Sequence, residues 1–436
     1  MSAPALKKVL KPVHLWAIAV GLVISGEYFG WNYGWGEAGT IGLLIATLIV
    51  TIFYISFIFS FTELTTAIPH AGGPFAYAYK ALGPLGGLIA GYATLVEFLL
   101  APPAIAFALG SYVHFLYPAM PVVGTGIACF VLFTLVNLLG IKESAVFTLI
   151  VTLLAVGELL LFMGIVAPSF SAHNFLQHPM DNGWSGVFAA LPYAIWFYLA
   201  IEGVAMAAEE VKDPQRTIPR GYIYGIFTLV VLALGVMIFT GGITDWRLLS
   251  NIDYPLPEAI GIVLGKQNNW TKLFAGIGLF GLVASFHSII LGYSRQMFAL
   301  ARSGFLPGFL AAVNKRFQTP HWSLVVGGVI GIIALFIGSA DKVIIISALG
   351  AIVLYIISMI SLFILRRKEP LLERPFKVPL YPWLPLIALV LALVCLVAIV
   401  WFNVWLSVLF FAGLLLAGGI FWLWGKNKAA DLKSEM

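Results

Sequence analysis

The chain is dominated by long apolar runs that are separated by short polar or glycine- and proline-rich connections. About 20 consecutive apolar residues are enough for a helix to cross a bilayer, and the runs fit that length. The pattern therefore predicts an all-α integral membrane protein with about twelve transmembrane helices. The expected spans are 14–35, 40–62, 85–116, 122–140, 145–167, 185–209, 221–243, 271–299, 321–339, 342–365, 383–402 and 405–424.

Two of these spans contain a carboxylate beside glycine near the middle of an apolar run. Span 1 includes the stretch from Ser25 to Gly36, with four glycines, and span 6 includes Glu202-Gly203. Glycine at this density predicts broken helices, which lipid tolerates only where the break faces a protein-buried cavity. Each of these two spans opens a group of five, an arrangement typical of transporters built as inverted repeats. The expected organisation is a cytoplasmic N-terminus (1–13), two five-helix repeats (14–167 and 185–365), and helices 11–12 with a cytoplasmic tail (366–436).

Composition supports the membrane assignment. Of the 436 residues, 61% are hydrophobic and 10% are charged, whereas a soluble domain is about 25% charged. The basic residues are dispersed over connections, so nucleic acid is not an expected partner. Cys129 and Cys395 lie inside apolar runs, and neither a disulfide framework, a metal site nor a cofactor is expected. No removable signal peptide is expected.

The basic residues also predict an orientation. If both ends are cytoplasmic, all but four of the 24 Lys and Arg fall on the cytoplasmic side; the exceptions are Arg247, Lys266, Lys272 and Lys342. This bias follows the positive-inside rule. We therefore expect a multi-pass protein of the bacterial cytoplasmic (inner) membrane with both termini inside, in contact with the lipid bilayer.

Four acids are predicted deep in the membrane: Glu27, Glu97, Glu158 and Glu202. Each charge costs roughly 2.5–3.5 kcal/mol at the centre of a span, and no Lys or Arg is predicted at comparable depth. Bound protons or a bound cation are the natural means of offsetting that cost. For Glu97 and Glu158, a structural hydrogen bond to a neighbouring helix is an equally good interpretation.

Aromatic residues border both predicted breaks. Trp31, Phe197 and Tyr198 could form a cation–π wall around an ammonium group, although most aromatic residues in such a chain are packing residues or interfacial anchors. His287 in span 8 could titrate near neutral pH, although a lone histidine in a helix is more often a hydrogen-bonded structural residue.

Three segments resemble the amino acid–polyamine–organocation (APC) transporter superfamily. Glu63 to Lys80 is similar to its loop after span 2, and Glu209-Glu210-Val211-Lys212-Asp213-Pro214-Gln215-Arg216 to its signature after span 6. Ser294-Arg295 followed by Ala299 to Pro307 is similar to its segment between spans 8 and 9. The resemblance implies the LeuT-like 5+5 inverted repeat, with helices 1 and 6 broken, and transport by alternating access.

The sequence departs from that family at two informative places. Amino acid carriers of the family have small residues at the span 1 break, whereas here Gly30-Trp31-Asn32 stands there, which disfavours binding of a substrate carboxylate. The stretch from Ile24 to Trp35 more narrowly resembles the bacterial ethanolamine permeases. Some proton-coupled relatives carry a lysine in span 5, and here Ala155 stands in its place with Glu158 one turn on.

These observations predict a permease that imports a small primary amine cation, with ethanolamine the best-fitting substrate, by symport with H+ or as a uniporter driven by the membrane potential. An amino acid or polyamine transporter or exchanger of the same superfamily is the alternative, and a transport-inactive membrane sensor is a third. No enzyme motif is present, and the oligomeric state is left open. The expected substrate-binding residues are Glu27, Gly30, Trp31, Asn32, Glu97, Phe197, Tyr198, Glu202 and Gly203. The expected coupling residues are Glu158, Glu97 and His287.

Overall fold

The computed structural model describes residues 8–70, 72–140 and 145–425. Its regular structure is helical throughout these ranges, apart from one isolated parallel bridge between Leu10 and Val211. The α-helices are α1 Pro12–Val23, α2 Ser25–Tyr28, α3 Tyr33–Ala67, α4 Pro74–Leu116, α5 Val122–Leu138, α6 Ala145–Val166, α7 Ala172–Phe175, α8 Gly183–Ala189, α9 Leu191–Trp196, α10 Pro214–Gly241, α11 Pro255–Leu264, α12 Asn269–Arg302, α13 His321–Ile337, α14 Ala340–Lys368, α15 Trp383–Phe402 and α16 Val404–Ile420. The 3₁₀ segments are Ala167–Ser169, Ile201–Glu210, Trp246–Leu248 and Gly308–Ala311, and a π-turn covers Phe421–Gly425.

The predicted all-helical membrane fold is confirmed. Among the described residues, nine helical segments are long and apolar enough to cross a membrane. Three shorter apolar helices, α1, α5 and α13, coincide with predicted spans 1, 4 and 9. The short helix α11 lies between predicted spans 7 and 8 and was not expected.

Span 1 breaks within the predicted stretch, but over a shorter length. Residues 29–32 form turns, whereas Glu27 lies in the preceding helix α2. Gly30 has φ +94°, a conformation that strongly favours glycine. Chain direction changes again at Gly39 (φ +70°), which lies inside α3 and separates the end of span 1 from span 2.

Span 6 breaks earlier than expected. Its helix ends at Trp196, residues 197–200 form turns, and Ala200 adopts a left-handed conformation with φ +75°. Glu202 and Gly203, where the break was predicted, lie instead in the 3₁₀ segment that follows. This segment has i→i+3 hydrogen bonds, which are uncommon over ten residues and mark a strained or functional stretch.

The connection around 63–80 is more helical than its glycines and prolines indicated. Helix α3 continues past Glu63 to Ala67, and α4 begins at Pro74. Proline favours the first turn of a helix because its missing N–H has no intrahelical partner there. The interruption comes later, at Gly83 (φ +74°), which separates a short helical stretch from span 3.

The described helices form a packed centre surrounded by helices with apolar outer surfaces. Helix α4 packs along α14 and α12, and α1 packs against α10 and α6. Helices α15 and α16 present large apolar side chains outward, including Trp401 at 76% exposure. Such a surface is stable when it faces hydrocarbon rather than water. The two broken segments, residues 29–32 and 197–200, are buried among the central helices.

Candidate functional site

The breaks of spans 1 and 6 lie against each other. The Trp196 indole N–H donates to the Phe29 carbonyl over 3.0 Å. A Cβ atom at Gly26 would collide with the Trp196 carbonyl oxygen, and one at Gly30 would lie 2.6 Å from Cδ1 of the Trp196 indole. The glycines thus permit the two irregular backbones to approach closely, which a side chain would prevent.

Three carboxyl groups lie around this junction, and we call Glu27, Glu97 and Glu202 the acid cluster. They come from α2, α4 and the 3₁₀ segment of span 6, and all three residues are 0% exposed. By hydrogen-bond geometry, no described group donates to either carboxyl oxygen of Glu27 or of Glu97, or to Oε1 of Glu202. Within the described ranges, no ion pair involves any of the three.

Two members of the acid cluster meet directly. The carboxyl groups of Glu97 and Glu202 lie within hydrogen-bonding reach of each other. The Tyr355 hydroxyl on α14 donates to Oε2 of Glu202 over 2.7 Å. From the same helix, Ser347 Oγ donates to the Glu97 carbonyl over 2.8 Å. Helix α14 therefore holds both acids, a role that the sequence did not assign to it.

A group of tyrosines connects the acid cluster to the break of span 6. Tyr54 donates to the Tyr355 hydroxyl over 3.3 Å, and its ring centroid lies 5.1 Å from that of Tyr198. The Tyr198 hydroxyl exchanges a hydrogen bond with Thr51 (2.7 Å) and lies within electrostatic range of Glu27. Of these tyrosines only Tyr198 is predicted from the sequence, because nothing local distinguishes Tyr54 and Tyr355 from other tyrosines in long apolar helices.

Trp31 and Phe197 cover the junction, one from each break. Their rings are stacked, with centroids 5.6 Å apart and planes 16° from parallel. The Trp31 indole N–H donates to the Glu27 carbonyl over 3.2 Å, which fixes the orientation of the ring. Trp35 packs edge-on against Trp31 at 4.7 Å. The structure thus places two of the predicted aromatic residues face to face beside Glu27.

Asn32 is fully engaged in structural hydrogen bonds. Its Oδ1 accepts from the Gly30 amide (2.9 Å), and its Nδ2 donates to the carbonyls of Leu249 and Ile252 (2.7 and 2.8 Å). The same segment continues to Asp253, which accepts hydrogen bonds from Tyr33 and Ser111. Burial raises the pKa of the Asp253 carboxyl, and these hydrogen bonds oppose the shift. The segment after α10 is therefore tied to the span 1 break.

The remaining predicted residues separate into different environments. Glu158, a predicted coupling acid, accepts a hydrogen bond from the Tyr28 hydroxyl over 2.7 Å. Tyr28 is the residue directly after Glu27, so Glu158 is linked to the helix that carries Glu27. Gly203 packs against Leu22 and Phe98. His287 pairs with Asn137 on α5 at 3.1 Å. The structure thus places Glu158 next to the span 1 break and pairs His287 with α5.

A fifth buried acid has the opposite environment, and we call its contacts the ion-pair latch: Glu63, Arg366, Arg374 and Val378. Arg366 makes two hydrogen bonds to the Glu63 carboxylate (2.7 and 2.5 Å), and Arg374 lies at 3.3 Å. The Val378 amide donates to the same carboxylate over 2.8 Å. The latch joins α3 to the connection between α14 and α15.

With this geometry established, comparison with known proteins gives the family. A sequence profile of the amino acid permease family matches residues 10–422. The chain belongs to this family, within the APC superfamily. An uncharacterized transporter of Rhizobium meliloti is 30% identical over 89% of this chain and 85% of its own length. The branched-chain amino acid permease BcaP of Bacillus subtilis is 27% identical over 93% of this chain and 92% of its own length. The methylthioribose transporter of the same organism is 26% identical over 88% of this chain and 87% of its own length.

Membership in the amino acid permease family settles the coarse function. The chain is a multi-pass membrane transporter for a small molecule and not an enzyme. The named substrates of the relatives differ, and they include a thiosugar as well as amino acids. Substrate identity therefore has to be argued from the site of this chain.

Proposed function

We propose that this permease imports a small primary amine cation, with ethanolamine the best-fitting substrate, by alternating access. The observation that carries the proposal is the acid cluster: three fully buried carboxyl groups without a basic partner in the described structure. Charged groups at membrane depth are expensive and mark substrate or ion pathways. A permeating ammonium group would supply the missing positive charge.

The span 1 break disfavours a substrate that carries a carboxylate. Such a substrate needs free backbone N–H groups at the break, and the Gly30 amide already donates to Asn32. The carboxyl of Glu27, two residues before the break, would also repel it. An amine that lacks a carboxylate avoids both problems.

Each part of the site has a proposed role. Glu27 and Glu202 hold the ammonium group, and Trp31 and Phe197 cover it through cation–π contact. The tyrosine hydroxyls of the neighbouring group offer partners for the single hydroxyl of ethanolamine. Movement of the two broken segments against their neighbours opens the site to one side and then the other, as in 5+5 inverted-repeat carriers.

Two driving forces are compatible with this site. An inside-negative potential of about 100 mV supplies roughly 2.3 kcal/mol per positive charge, which is enough for accumulation by uniport. Proton symport would use Glu158, since its bond to Tyr28 connects it to the helix that carries Glu27. We propose insertion in the bacterial cytoplasmic membrane with both termini inside, on the strength of the Lys and Arg distribution.

An amino acid substrate is the second candidate. It is favoured by BcaP, a branched-chain amino acid permease that matches 93% of this chain. This candidate predicts that a zwitterion with an apolar side chain competes for the site. The Gly30 contact would then have to open when substrate binds.

Uptake by the purified protein in proteoliposomes separates the two. Labelled ethanolamine is offered under an imposed potential and, separately, under a pH gradient, with leucine, alanine and putrescine as competitors. We expect saturable ethanolamine uptake that leucine does not inhibit. Uptake no faster than that of empty vesicles, combined with leucine transport, would refute the amine proposal and support the second candidate.

A further inference from the structure

The contact between Glu97 and Glu202 sets a condition on their charge. Both side chains are completely buried and approach each other within hydrogen-bonding reach. Two ionised carboxylates in contact repel each other strongly when no water or cation separates them. A single proton between them converts the repulsion into a hydrogen bond.

The surroundings supply polar groups but no positive charge. The titratable groups that face the pair are Tyr54 from α3, Tyr222 from α10 and Tyr355 from α14. Ser347 is bonded to the Glu97 carbonyl rather than to its carboxyl group. Within the described structure, neither carboxyl group forms an ion pair. The pair therefore has no protein cation with which to share two negative charges.

The hydrogen bonds around the pair are unequal. Glu202 accepts from Tyr355 over 2.7 Å, and Tyr355 accepts in turn from Tyr54 over 3.3 Å. Among the described residues no hydroxyl donates to Glu97, whose carboxyl group faces the Ala200 backbone amide instead. Donors favour the ionised form of the group that accepts from them.

We propose that Glu97 and Glu202 hold one proton between them, that Glu97 carries it, and that Tyr355 keeps the negative charge on Glu202. Tyr355 is then a positioning residue, acting through Glu202. The consequence for substrate rests on the proposed function: the pair presents one negative charge, which matches one ammonium group.

Infrared spectroscopy of the purified protein tests the proton directly, without any substrate. A protonated carboxyl group gives a carbonyl stretch distinct from that of carboxylate or amide, and it shifts in D2O. Glu27 is expected to contribute its own component, so each variant is read as a difference spectrum against wild type. We expect one protonated-carboxyl component to be lost in Glu97→Gln, because the Gln side chain donates to Glu202 in place of the proton. In Glu202→Gln that component should remain at a shifted frequency, because Glu97 stays protonated and donates to the new amide.

The conservative variant Tyr355→Phe tests the direction of the asymmetry. It removes one hydrogen bond to a charged group, so protonation of the pair should persist to a pH higher by about one unit. The matched control is Tyr293→Phe, which removes a buried hydroxyl that donates to the Leu324 carbonyl on α13. This control should leave the titration unchanged.

The outcomes are decisive in both directions. A component that is unchanged in Glu97→Gln but lost in Glu202→Gln would place the proton on the wrong acid and overturn the proposal. A spectrum in which neither variant removes a protonated-carboxyl band would overturn it as well. Ethanolamine uptake by the wild-type protein is scored separately: absence of wild-type uptake with the expected spectra would refute the amine function and leave the shared proton standing.

Discussion

Glu63 in the ion-pair latch is almost as buried as the acids of the acid cluster, but its chemical environment is the opposite of theirs. Glu63 is 2% exposed and its carboxylate is engaged by two arginines and a backbone amide. Glu27 and Glu97 are 0% exposed, and by hydrogen-bond geometry no described group donates to their carboxyl oxygens. Burial of an acid therefore does not by itself distinguish a structural role from a functional one.

The two regions differ in the source of the positive charge that compensates the buried carboxyl groups. In the latch the protein supplies it, so the charge is permanently compensated and the contact fixes two segments together. In the acid cluster the compensation has to come from a proton or from a cation that enters and leaves. The comparison predicts that the same substitution has opposite consequences in the two regions.

The largest expected effect comes from replacing glutamate by glutamine in each region. Glu63→Gln should lower the free energy of unfolding by about 3 kcal/mol, because Arg366 and Arg374 lose a buried partner. Glu202→Gln should keep the thermal stability but reduce amine uptake about a hundredfold, since it loses a charge–charge contact of about 3 kcal/mol. Thermal unfolding of the detergent-solubilised protein measures the stability, and uptake into proteoliposomes measures the transport. If both variants lost stability and uptake to the same extent, the comparison would be contradicted.

The second effect concerns the backbone that brings the acid cluster together. Gly30→Ala requires a left-handed alanine, which costs about 1–2 kcal/mol, and its Cβ would press on Trp196. Because about 1.4 kcal/mol corresponds to a tenfold change in rate, the uptake rate should fall at least tenfold. Gly157→Ala on α6 is the control, because no atom lies within 4 Å of its added Cβ. A Gly30→Ala carrier with normal kinetics would show that the close approach of the breaks is not required.

The third effect sharpens the description of the latch. Arg374→Met should destabilise the protein by about 1.5 kcal/mol, the lower end for a contact between charged groups, because it loses the 3.3 Å ion pair with Glu63. In the Glu63→Gln background the same change should cost much less, because its partner charge is gone. Thermal unfolding of the four proteins of this cycle measures the coupling. Additive effects would mean that Arg374 contributes through its backbone contacts to Leu365 and Glu369 instead.

The smallest effect concerns the aromatic cover. Trp31→Phe keeps a ring over Phe197 but weakens the cation–π contact by about 0.5–1 kcal/mol. The KM for ethanolamine should rise about two- to fivefold with the maximal rate nearly unchanged. Trp401→Phe on the exposed face of α15 serves as the control. An unchanged KM would remove Trp31 from the substrate site.

Much of the site could be anticipated from local patterns. Apolar length predicted the spans, and the glycines of the first span predicted a break that the structure narrows to residues 29–32. The position of the span 6 break was wrong by several residues, because Ala200 rather than a glycine adopts the left-handed conformation there. A backbone conformation that packing imposes on alanine leaves no local signal in the sequence.

The sequence by itself determined that this chain is a helical membrane transporter with acids at membrane depth, since hydropathy, glycine content and charge act over one span at a time. Only the tertiary structure decided which acids meet. It joined Glu97 to Glu202 under Tyr355, connected Glu158 to Tyr28, and gave Glu63 its two arginines. These contacts join distant helices, and their partners are selected by packing geometry, which no single apolar run encodes.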